Sequence, residues 1–397
     1  MEEAASVLSP FPSSMRLSAL IPLLTVCLVF VAGSVSAQTF REKALDAAKV
    51  GDNDVAIENF EKALNSTLKV FKDDHVEVIT ARLELGEAYR AAGRWDDAIG
   101  QLDYVWKRAR FDAEQNKRWD GEEGHLAYAA GEKLGRAMQG AARYAEAAVV
   151  FATTISDGEK SGRDPDQLLI LDALLADTLL LLDRVEDASQ AVARARERIQ
   201  TKYASQPENQ VRALSTLVTL YHHHRQHVKA FPIAQEAVDI ANKSLPPPSL
   251  VTAQALLNLG SVALHADGQL DVAIKSLRGA EETYVKLKGP EAPELMNIQL
   301  NLSQAESVKK NYKEAESRGM QALSIARLHY PADSLENAQC LHNLANCYME
   351  LRQPGKASDL YATALNIFEK TLGRDHPQAV EAKKMLEAAR KSAERGE

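Results

Sequence analysis

Eight alanines recur in one context along this chain: Ala56, Ala98, Ala147, Ala188, Ala230, Ala273, Ala315 and Ala357. Their spacings are 42, 49, 41, 42, 43, 42 and 42 residues. Repetition at such an interval marks one supersecondary unit copied along the chain, and it restricts the fold more than composition does. Seven residues after each alanine stands a second, mostly small residue: Ala63, Val105, Thr154, Ala195, Ala237, Ala280, Ala322 and Ala364. Positions i and i+7 share one helix face, and small side chains there let a neighbouring helix approach closely.

A second helix lies upstream in each unit. In "LELGEAYRAAGRWDDAIGQLDYV", Leu85 and Tyr89, then Trp95, Ala98, Leu102 and Val105, keep a helical period on either side of a turn at Gly93. Equivalent turns are expected at Gly51, near Gly140 to Arg143, and at Asp183, Arg225, Gly268, Lys310 and Arg352. Pro165, Pro207, Pro248 and Pro290 punctuate the junctions between units, with Pro331 and Pro377 serving later ones. Pro232 falls inside a predicted second helix, where a kink is expected. A helix pair cannot bury its own apolar face, so neighbours must stack on a shared core and the ends need caps.

"LGEAYRAAGRWDDA" resembles a tetratricopeptide repeat, with the Leu-Gly, Tyr, Gly and Ala landmarks in order. The 42-residue interval, with "LNIFEKTLGRDHPQAVEA" and "FKDDHVEV", is similar to the kinesin-light-chain type. The resemblance implies an all-α fold: an α-solenoid, a right-handed superhelix of about eight helix pairs plus a C-terminal capping helix. The expected organisation is a signal peptide over 1–37, a repeat array over 38–375, and a capping helix and tail over 376–397. The third repeat departs from the pattern by seven extra residues within "RFDAEQNKRWDGEEGHL" and by Ala142 at the turn, and the first repeat is expected to have a short leading helix.

The signal-peptide reading rests on Arg16, the apolar run "LSALIPLLTVCLVFVAG" at 17–33, and Val35 and Ala37 at the −3 and −1 positions of a cleavage site. Met15 offers a cleaner start than Met1, whose following residues are acidic. The run falls short of the roughly 20 apolar residues that span a bilayer, so no stable membrane span is expected after cleavage. Export to a periplasm, the extracellular space or a secretory lumen follows. A net charge of −8 argues against nucleic acid as a partner.

"AQCLHNLANCY" at 338–348 has the residue density of a metal or thiol site, but the repeat register says otherwise. Counterparts of Cys340 are Ala81, Ala130, Leu171, Ala213, Ala255 and Ile298, and those of Cys347 are Ala88, Ala137, Thr178, Leu220, Val262 and Ala305. Both cysteines therefore occupy packing positions. The amides carry more information. Gln254, Asn258 and Ser261, then Asn297, Asn301 and Gln304, then Gln339, Asn343 and Asn346 each fall on one face of a first helix. By the tetratricopeptide resemblance that face lines the concave groove. Amides donate and accept as a peptide backbone does, so this ladder suits an extended polypeptide. Earlier repeats hold Thr80, Glu84 and Glu87, then Ala129, Lys133 and Arg136, then Ile170, Leu174 and Asp177 at these positions. His222 and His223, beside His265, are candidate metal-binding or pH-sensitive residues.

No Gly-rich phosphate loop, His-Glu-x-x-His, Cys-x-x-Cys or Gly-x-Ser-x-Gly occurs, and no cofactor or catalytic residue is indicated. The expected function is a non-catalytic scaffold binding a protein or peptide partner in its groove. Rival readings are an assembly subunit using its convex face or edges, and an intracellular adaptor if the N-terminal signal is misread. Partner identity and oligomeric state are not legible in these residues.

Overall fold

A computed structural model describes residues 35–395. The predicted signal segment therefore lies outside the described residues, except for 35–37, which form the first turn of a helix. Among the described residues there are seventeen helices and no strand. They are α1 (35–49), α2 (Asn53–Leu68), α3 (Val76–Ala91), α4 (Trp95–Asn116), α5 (Glu122–Gly140), α6 (Tyr144–Lys160), α7 (Pro165–Leu181), α8 (Val185–Lys202), α9 (Pro207–His223), α10 (His227–Ser244), α11 (Leu250–Ala263), α12 (Leu270–Lys288), α13 (Glu294–Val308), α14 (Tyr312–His329), α15 (Leu335–Glu350), α16 (Pro354–Leu372) and α17 (Pro377–Arg395). The fold is an all-α solenoid of stacked helix pairs. It divides into two compact units, one ending at Ala195 and one starting at Arg196, with the division inside α8.

All eight predicted intra-pair turns carry one residue with positive φ: Gly51, Gly93, Ala142, Asp183, Arg225, Gly268, Lys310 and Arg352. In seven of them the next N–H reaches back five residues to a helix carbonyl, as in Arg94 N to Tyr89 O at 2.9 Å and Gln226 N to Tyr221 O at 2.8 Å. This is the six-to-one bond of a left-handed helix cap, and it satisfies a carbonyl that the helix end would otherwise orphan. Five turns hold that conformation without glycine, at a cost of about 1 kcal/mol or more each. The pair α11 and α12 is the exception: α11 stops at Ala263, and 264–269 form a longer connection.

Close helix approach follows from the small residues. The eight register alanines are at most 1% exposed, and their i+7 partners at most 5%. Glycine serves the same purpose on the facing helix. A Cβ at Gly260 would stand 2.6 Å from Leu277 Cγ, so only hydrogen fits there. Leu102, Leu214, Leu277, Ile298 and Tyr361 fill the seams this approach creates.

The third repeat's extra residues lengthen α4 to 22 residues, after which Lys117 takes a left-handed conformation and ends it. The leading helix of the first repeat, expected to be short, spans 35–49 and matches the 15 residues of α13. Pro232 sits inside α10, which runs through it as one helix. The carbonyl that loses its donor belongs to Val228, a residue 77% exposed, so water can replace the missing N–H. At the C-terminus α17 buries Ala379, Ala382, Leu386 and Ala389 and leaves its opposite face exposed, as a cap requires.

Candidate functional site

Serine caps open two of the three helices that carry the amides. Ser249 Oγ accepts from Thr252 N at 3.4 Å ahead of α11, and Ser334 Oγ accepts from Asn337 N at 3.3 Å ahead of α15. Helices α11, α13 and α15 lie side by side in the C-terminal unit, because α12 and α14 return the chain between them. The nine ladder positions then divide by what each side chain already bonds. Gln254 Nε2 donates to Asn258 at 3.1 Å, and Gln254 Oε1 accepts from the Tyr284 hydroxyl at 3.0 Å. Asn301 Nδ2 donates to Ser261 Oγ at 2.7 Å, a rung joining α13 to α11, while Ser261 donates to the Leu257 carbonyl. Asn346 accepts from the Tyr361 hydroxyl.

The side chains of Asn297, Gln304, Gln339 and Asn343 make no hydrogen bond among the described residues, and all four, with Asn301, line one cavity of about 520 Å³. That size is within the range of ligand-holding clefts. Its apolar surface comes from Leu300 and Phe368, both under 8% exposed. Arg225, His265, His342 and Glu381 add ionisable groups to its wall.

In the N-terminal unit the corresponding face is satisfied internally. Glu84 pairs with Arg41, Glu87 with Arg90 at 2.8 Å and with Lys133 at 3.3 Å, and Arg136 with Glu132 at 3.0 Å. Asp177 accepts from Gln139 Nε2 at 3.3 Å. The charged groups of that half are closed by partners, whereas the amide half leaves four of its nine positions open.

The predicted histidine group is rearranged. His222 and His265 do approach, with ring centroids 6.0 Å apart, but the third member is His227, 5.0 Å from His222 and 4.8 Å from His265. His223 packs against His224 instead. The cause is the reversal at Arg225, which brings the first residue of α10 back over the last turn of α9. Burial, then the neighbouring histidines, hold the His222 ring down at about 4. His227 is lowered by burial, His265 and Arg225, and His265 by burial and Arg225. No group of three or more His, Cys, Asp or Glu side chains among the described residues is arranged to hold a metal ion.

Cys340 and Cys347 are buried, free thiols, and burial pushes the Cys340 thiol up to about 12. Cys347 Sγ lies 3.5 Å from Ser303 Oγ and 3.7 Å from Ser307 Oγ. His342, between the two cysteines, turns the other way and stacks edge-on against Tyr361 at 5.2 Å while lining the cavity. Sequence reasoning tested His342 only as a metal ligand and missed it as a wall residue, as it missed Arg225, His227, Phe368 and Glu381. Phe368 and Glu381 belong to α16 and α17, and nothing in a first-helix pattern points to them. Among the described residues no helix is long and apolar enough to cross a membrane.

Paired helices closed by left-handed turns, stacked on a small-residue seam beside an open polar face, define a helical-repeat scaffold for protein–protein interaction. The chain carries tetratricopeptide repeats: models of that family match residues 35–103, 251–327 and 337–378. No curated protein matches the sequence. Among solved structures it is similar to BtubC (BKLC) from P. vanneervenii, at 19% identity and TM-score 0.48 over 59% of this chain and 94% of that one. It is also similar to the nearly identical TPR-like repeats of a Podosopora anserina protein described as a kinesin light chain, at 22% identity and TM-score 0.41 over 48% and 88% of the two chains. The apo form of RapI aligns at 13% identity and TM-score 0.49 over 91% of this chain and 99% of that one.

Proposed function

We propose that this chain is a non-catalytic scaffold that acts outside the cytosol after removal of residues 1–37, and that its C-terminal unit holds an extended polypeptide segment of a partner protein. The observation that carries the reading is the set of four side-chain amides, Asn297, Gln304, Gln339 and Asn343, that line a cavity and have no partner among the described residues. An amide presents a donor and an acceptor together, which is the complement of a peptide unit. A face that was merely solvated would use Lys and Glu freely, yet none occurs at the nine ladder positions.

The test is capture of partners from the exported fraction by the wild-type chain and by an Asn297/Gln339/Asn343→Ala variant. Those three side chains stabilise nothing internally, so the variant should melt with the wild type. It should lose the partner, because each amide forfeits hydrogen bonds worth about 1 kcal/mol apiece. Equal capture by both proteins would reject the groove. Amino-terminal sequencing of the protein recovered from cells should begin at Gln38, and an intact start in a cytosolic fraction would reject export.

A further inference from the structure

Arg225 and His265 share the amide-lined cavity, and His222 and His227 stand against His265 to complete a basic cluster. Glu381 is the acidic side chain on the wall of that cavity, and it acts on His342; among the described residues no ion pair joins an acidic side chain to the cluster. Among the described residues the Arg225 guanidinium makes no ion pair or hydrogen bond, and the Nδ1 atoms of His222 and His227 are buried without partners. The charged groups acting on the three rings are all basic: His223 on His222, Arg225 on His227 and His265, and the rings on one another. Of the elements packed around them, α10 carries Lys229 near its start and Glu236, Asp239 and Lys243 further along, with Glu236 paired to Arg196 and Asp239 accepting from Gln235, and α11 has no ionisable side chain. Asp267, in the connection after His265, is exposed. At the head of α12, Asp271 pairs with Lys309, and on α13 Glu294 pairs with Lys288 and Glu306 with Arg278.

A guanidinium that never loses its charge, beside imidazoles that carry none at neutral pH, is an incomplete anion site. Burial, then the neighbouring rings and the Arg225 charge, keep the imidazoles neutral; a carboxylate brought to Arg225 would offset the charge repulsion, and the rings would then take up protons more readily. Proton uptake on binding requires affinity to rise as pH falls. We infer that the His222/His227/His265/Arg225 cluster is a carboxylate-binding site at the Arg225 edge of the cavity whose grip tightens in mildly acidic medium. Assigning the carboxylate to a polypeptide, as an acidic side chain or a C-terminus, rests on the groove reading above; the anion site itself does not.

Three blocked tripeptides test it by isothermal titration with the purified chain at pH 7.5 and 5.5. Acetyl-Glu-Ala-Glu-amide carries side-chain carboxylates, acetyl-Ala-Ala-Ala carries only a terminal one, and acetyl-Gln-Ala-Gln-amide carries none. At least one carboxylate probe should bind about tenfold more tightly at pH 5.5, and whichever binds identifies the source. The neutral probe should not bind better in acid. Arg225→Gln should weaken binding at both pH values by about tenfold. His265→Gln, which removes one of the rings that would take up a proton, should shrink the acid gain. Failure of both carboxylates, equal binding of the neutral probe, or an acid gain unchanged in both variants would overturn the site. Sodium acetate, which has no peptide unit for the amides to bind, separates the two readings: an acid gain that depends on Arg225 with acetate supports the anion site whatever the amide variant does to partner capture, and no such gain with acetate or the tripeptides overturns it.

Discussion

Replacing His222 by glutamine should make the fold less sensitive to acid. In the unfolded chain this ring takes up a proton as pH falls through about 6.5. In the folded chain burial, then His227, His265 and His223, keep it neutral down to about 4. Over that window the folded state binds fewer protons than the unfolded state, so stability falls as pH drops below about 6.5 and levels off near about 4. At about 1.36 kcal/mol per tenfold of lost proton affinity, the cost at pH 5 has a ceiling of about 2 kcal/mol. The ring is only half-buried, and solvent screening reduces this to about 1 kcal/mol. Glutamine keeps a hydrogen-bonding side chain of similar reach and has no proton to gain. Urea denaturation followed by circular dichroism at pH 7.5 and pH 5 gives the stability loss of each protein. The wild type should lose about 1 kcal/mol more than the variant, since carboxylate effects common to both cancel in the difference. Equal losses would refute the cluster geometry on which the argument depends.

Gly260→Ala should destabilise by about 2 kcal/mol, seen as a lower denaturation midpoint, because its Cβ would stand 2.6 Å from Leu277 Cγ in a packed seam. Arg352→Gly should stabilise by about 1 kcal/mol or less in the same assay, since glycine removes the strain of φ +58° at that turn while loosening the unfolded chain. Asn301→Ala should lower stability by about 1 kcal/mol through loss of its 2.7 Å bond to Ser261, whereas Asn343→Ala, with no internal bond to lose, should leave melting unchanged. Cys340 and Cys347 should resist iodoacetamide in the folded protein and react only after denaturant opens the core.

The repeat architecture was legible because its determinants are local. A left-handed turn every 42 residues or so, flanked by small residues at fixed offsets, can be read one copy against the next, and all eight turns fall where that register places them. The same comparison assigned the cysteines to packing positions, where both are at most 2% exposed. Which amides remain open was not legible, since it depends on partners such as Tyr284 and Tyr361 that arrive from other helices. His227 was passed over for a related reason. A spacing of five residues across a chain reversal matches no helical period, although the reversal itself stacks it on His222.

The links between successive first helices differ in kind along the chain. Glu84 with Arg41 and Glu87 with Lys133 are pairs of opposite charge, whereas Asn301 with Ser261 is a bond between neutral groups. At physiological ionic strength charges are already screened beyond about 8 Å, and more salt weakens exposed pairs further while leaving an amide-hydroxyl bond almost untouched. Raising ionic strength therefore weakens the Arg41–Glu84 and Glu87–Lys133 links more than the Asn301–Ser261 link, while acid acts on the C-terminal unit through its histidines. Within one repeated fold, equivalent links between first helices respond to different properties of the surrounding fluid.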